Sequence, residues 1–67
     1  MQDGWIRIYD SDEEYQAVLI EELLKGHGLH PVLMDKKDDE FRLGTAAVYV
    51  APEEAEQARK IMADNQK

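Results

Sequence analysis

The sequence predicts an α+β fold: a two-layer α/β sandwich in which two helices lie on one face of a three-stranded antiparallel sheet. Two observations predict it. The hydrophobic period runs in the order β-α-β-β-α along 67 residues. Residues 5–9 alternate as a strand, 12–25 repeat at helical spacing, 31–35 and 45–50 read as two more strands, and 53–63 return to helical spacing. Glycine and proline fall between these segments or at their first residue, at Gly26, Gly28, Pro31, Gly44 and Pro52. The order is that of the split-βαβ, ferredoxin-like plan without its final strand, and it predicts the strand order 1-3-2 with strand 3 in the centre. The whole chain, 1–67, reads as one such domain.

The first strand is expected to put Ile6 and Ile8 on one face and Trp5, Arg7 and Tyr9 on the other. Asp10-Ser11 ends the alternation. Ser11 followed by Glu14 has the spacing of a capping box, and Asp12, Glu13 and Glu14 suit the positive end of a helix dipole. Ala17, Ile20, Leu23 and Leu24 form the buried stripe of the first helix. Val18 and Leu19 widen it beyond what one sheet face covers. Gly28 is the expected left-handed residue after the last turn.

Pro31 opens the second strand, where its missing N–H does least damage. Val32-Leu33-Met34 is apolar on both faces, so periodicity leaves its orientation open. The polar run 35–40 reads as a connection, with Phe41 or Leu43 folding back onto the domain and Gly44 closing the turn. In the third strand Ala46, Val48 and Val50 share one face, and Ala47 and Tyr49 the other. Pro52 suits the first position of the second helix. Ala55, Ala58, Ile61 and Met62 make a narrow stripe of mostly small residues behind it.

Composition narrows the function classes. Such a short chain buries only about 60% of its unfolded surface. It has no cysteine, which excludes disulfides and thiolate metal sites and fits a reducing compartment. The apolar runs are far shorter than the roughly 20 residues that span a bilayer. A cytoplasmic location is expected. Fifteen acidic against 8 basic residues give a net charge of −7, which disfavours nucleic acid and anionic membranes as partners.

Chemistry has little to stand on. His27 and His30 form an H-x-x-H spacing, but on a turn and without a third strong ligand, so two exposed turn histidines and no bound metal are expected. The acidic run 35–40 lacks calcium-loop spacing and contains Lys36 and Lys37. Ser11 reads as a cap and Thr45 as the start of a strand, and there is no cysteine, so nucleophilic catalysis has little to stand on. The glycines form no phosphate-cradling motif, and the sheet lacks the glycine-aromatic signature of RNA-binding sheets. The chain is expected to be neither an enzyme nor a cofactor carrier.

The sheet itself offers more. The face away from the helices is expected to present Trp5, Arg7, Tyr9, Ala47 and Tyr49, joined by Leu33 or its neighbours. An exposed apolar face and an unpaired edge on strand 1 are common marks of a contact site. A protein partner or a second copy is therefore expected there.

Trp5-Ile6-Arg7-Ile8-Tyr9, then Ala17-x-x-Ile20-x-x-x-Leu24-x-x-x-Gly28-Leu29, then Val48-Tyr49-Val50 with Pro52-Glu53-Glu54-Ala55-x-x-Ala58, resembles a small prokaryotic family of domains of unknown function described as signal-transducing. The resemblance implies a ferredoxin-like fold akin to the PII nitrogen-regulatory proteins, and brings no established catalytic or ligand-binding residue. The chain is shorter than a PII protein and lacks its long loop and a basic cluster for nucleotide phosphates, so ATP and 2-oxoglutarate binding do not carry over. The expected function is a non-enzymatic regulatory, signal-transducing or protein-interaction module. The alternative is a small-molecule sensor that binds a metabolite in a cleft at a dimer or strand edge.

Overall fold

A computed structural model describes residues 4–35 and 46–65. The elements follow in the expected order: β1 (Ile6–Ser11), α1 (Glu14–Gly26), β2 (Val32–Asp35), β3 (Ala46–Val50) and α2 (Pro52–Asn65). The strands form one antiparallel sheet in the order β1-β3-β2. β3 is central and its alternation decides which side is buried. Ala46, Val48 and Val50 are buried and join Ala17 and Leu24 of α1 and Ala55, Ala58 and Ile61 of α2 in one cluster. Both helices therefore lie on the same face of the sheet. Leu24, Val48 and Val50 are the largest fully buried side chains, each worth about 1.5–3 kcal/mol of transfer free energy. Ala55 and Ala58 are small enough for α2 to pack closely on β3.

The pairing of β1 with β3 departs from simple alternation. Ile6 stands opposite Val50 and Arg7 opposite Tyr49, but Tyr9 stands opposite Val48, which leaves Ile8 as an extra residue in a β-bulge. Ile8 and Tyr9 consequently both pack against the core. Past the bulge, Asp10 faces Ala47 and Ser11 faces Ala46. Tyr9 thus lies on the helix-covered face, not on the open one expected from a regular pleat. Its hydroxyl donates to Gln16 Oε1 of α1 at 3.1 Å.

The same pairing alters the start of α1. Ser11 is the last residue of β1, so it is not available as N-cap. Its hydroxyl oxygen accepts from the Glu13 N–H at 3.0 Å. Glu13 is the N-cap and has no side-chain cap bond, so the expected capping box does not form. The C-terminus of α1 follows expectation. Gly28 has φ +90°. Its N–H donates to the Lys25 carbonyl, and the Leu29 N–H to the Leu24 carbonyl, both at 3.0 Å. This is a Schellman arrangement, completed by burial of Leu29 and Leu24 together in the core.

α2 begins at Pro52, as expected, with the Glu54 N–H bonded to the Ala51 carbonyl at 2.9 Å. Glu54 also anchors the start of β2. Its Oε1 accepts from the His30 N–H and its Oε2 from His30 Nδ1, each at 3.0 Å. A carboxylate only accepts, so Nδ1 carries the proton in this contact. The His30 backbone N–H, followed by the imidazole, holds the Glu54 carboxyl below its ordinary pKa, against a smaller opposing effect of desolvation.

Candidate interaction surface

β2 pairs with β3 through Val32–Tyr49, Leu33–Val48, Met34–Ala47 and Asp35–Ala46. Leu33 therefore shares the side of Val48 and packs against the core. Val32 and Met34 point the other way, beside Tyr49 and Ala47, and are 38% and 51% exposed. This register settles what an apolar run could not. A strand hydrophobic on both faces is oriented only by its partner, here the strict alternation of β3.

On the side away from the helices, the sheet carries Arg7 and Asp10 on β1, Ala47 and Tyr49 on β3, and Val32 and Met34 on β2. Trp5, one residue before β1, is 48% exposed. Of the five expected residues, Arg7, Ala47 and Tyr49 are brought together on this side, Trp5 adjoins them, and Tyr9 is on the other. Val32, Met34 and Asp10 belong to the surface as well. The expected return of Phe41 or Leu43 over the sheet, the 35–44 connection beyond Asp35 and the Gly44 turn lie outside the described residues.

The surface is apolar along β2 and β3 and charged along β1. Arg7 Nη1 lies 4.0 Å from Asp10 Oδ2, with the two side chains 58% and 50% exposed. In a regular strand residues three apart point to opposite faces. The bulge at Ile8 brings these two to the same face. β1 has β3 on one side and no strand on the other among the described residues, so it is an edge of the sheet they form.

The histidines are not gathered into a ligand set. His27 is the C-cap of α1 and His30 is bonded to Glu54. Among the described residues there is no cluster of three or more His, Cys, Asp or Glu able to hold a metal, and no helix long and apolar enough to cross a membrane. A second exposed apolar pair, Tyr15 and Leu19 at 60% each, lies one turn apart on the outer side of α1. Leu19 confirms that the apolar stripe of this helix exceeds what the sheet covers.

Comparison with family models, curated proteins and solved structures returns no match to this chain.

Proposed function

We propose that this domain is a non-enzymatic, cytoplasmic protein-interaction module of regulatory or signal-transducing type, acting through the open sheet face and the β1 edge. One observation carries the reading: Val32 and Met34 are exposed beside Tyr49 and Ala47 on the side opposite both helices. Contiguous apolar surface on a small domain is costly in water and commonly marks a protein contact. Tyr49 sits in the central strand, where aromatic contact area is gained with little loss of side-chain freedom. The strong negative charge directs the module toward protein rather than nucleic acid or anionic lipid.

Sedimentation equilibrium over a wide concentration range, on wild type beside Tyr49→Ser, tests the reading. A wild-type mass that rises with concentration, and a variant that stays monomeric with an unchanged far-UV spectrum, supports it. Association unaltered in a folded variant contradicts the open face as the contact, and a wild type that stays monomeric contradicts a second copy as the partner.

A further inference from the structure

The geometry points to a second copy of this chain as the occupant of the β1 edge, paired antiparallel about a two-fold axis between Ile8 and Tyr9, with Arg7 of each copy opposite Asp10 of the other. The inference rests on the interaction-module reading and gives it a partner and a register.

The argument begins with the bulge. A regular six-residue strand alternates faces throughout, so its first and last residues point to opposite sides. It cannot pair along its whole length with a centred two-fold copy without setting inward residues against outward ones. β1 is different. Ile6, Tyr9 and Ser11 share the face of Val50, Val48 and Ala46, and Ile8 packs against the core, while Arg7 and Asp10 share the face of Tyr49 and Ala47. From Ile6 to Ser11 the order is therefore in, out, in, in, out, in. It reads the same in both directions, and the burial along the strand has the same symmetry. Pairing residue 6 with 11, 7 with 10 and 8 with 9 of a two-fold copy keeps every side chain on its proper face.

Charge then selects the register. Arg7 and Asp10 are the two open-face residues of β1. Centring the axis on Arg7 sets arginine against arginine, and centring it on Asp10 sets aspartate against aspartate; like charges directly opposite are unfavourable. The axis between Ile8 and Tyr9 instead sets Arg7 against Asp10 twice. The pair already lies 4.0 Å apart within one chain and is well exposed, so both groups are free to extend into a four-membered network across the axis. A bulge ordinarily protects an edge from foreign strands. Here the partner carries the same bulge at the same place, so the irregularity excludes other strands and matches its own copy. Two isologous edges of this kind would make one continuous six-stranded sheet with the Tyr49 surfaces of both copies on one side.

Equimolar mixing of charge-reversed variants tests the register. Arg7→Asp and Asp10→Arg are each expected to weaken self-association by about tenfold or more, because two opposite pairs become like pairs. Mixed together, they are expected to form a heterodimer within a few-fold of the wild-type affinity, since each supplies the charges the other needs. Asp10→Arg also makes the chain less acidic, so general repulsion alone would strengthen its self-association, the reverse of this prediction. Far-UV spectra of both variants should match wild type, because both side chains are exposed. Sedimentation equilibrium reads all samples, with Tyr49→Ser in parallel. Association lost in Tyr49→Ser but kept in both charge variants, or lost in them without recovery on mixing, overturns this register and leaves the open-face reading intact. Loss and recovery by charge with no response to Tyr49→Ser supports the register and removes Tyr49 from the contact. A wild type that stays monomeric overturns the register and the second copy as partner.

Discussion

Glu54 ties the N-terminal turn of α2 to the start of β2 with two bonds to one residue, His30. Because the folded pKa of Glu54 is lowered, chiefly by the His30 N–H, the stability it contributes is present above its unfolded pKa and is lost as pH falls through the folded one. His30 is 85% exposed and Glu54 21%, so solvent screens the contact and its worth is at the low end for a hydrogen bond. Glu54→Gln is expected to cost about 0.5 kcal/mol near neutral pH. The gap to wild type should close as the wild-type carboxylate protonates, which urea unfolding at a series of acid pH values would read. A gap independent of pH would mean that the charge of Glu54 contributes nothing. This contact was hidden in the sequence because its partners are 24 positions apart and each had a sufficient local explanation: a turn histidine, and an acid at a helix start. Tyr9 failed for a related reason. Residues 5–9 alternate cleanly when read alone, and the residue that breaks the alternation, Ile8, is as apolar as its neighbours.

At the scale of the element, local signals were legible where one segment decides its own conformation. The helix end at Gly28, the start of α2 at Pro52 and the buried face of β3 all followed from residue type and spacing. Gly28 is the sharpest case. At φ +90° it holds a conformation that side-chain-bearing residues adopt at a cost, and a Cβ there would meet nothing within 4 Å. Gly28→Ala should therefore destabilise by about 1 kcal/mol through backbone strain alone, read as an earlier urea midpoint with an unchanged slope. A neutral result would mean that the Schellman turn relaxes into another cap at no cost. What stayed illegible at this scale depends on pairing. The bulge, the orientation of Val32-Leu33-Met34 and the replacement of the Ser11 cap are all properties of two strands in register, and one strand's pattern does not contain them.

At the scale of the molecule, the order of hydrophobic periods was enough to place both helices on one side of a sheet with β3 central. It was also enough to expect a helix-free face. The composition of that face changed on folding. It exchanges Tyr9 for Asp10 and, of the two orientations left open for β2, takes Val32 and Met34, leaving an apolar band over β2 and β3 and a charged pair on the β1 edge. The account gives the β1 edge to a second copy and leaves the apolar band as open surface on one side of the paired sheet, with the outer side of α1 playing no part despite its exposed Tyr15 and Leu19. The most direct measurement is a set of amide and side-chain NMR spectra of the wild-type protein over a wide range of protein concentration. The account predicts concentration-dependent shifts along β1, at Arg7 and Asp10 above all, with Tyr15, Leu19 and the outer face of α2 unmoved. Spectra that do not change with concentration, or changes confined to Tyr15 and Leu19, would contradict it.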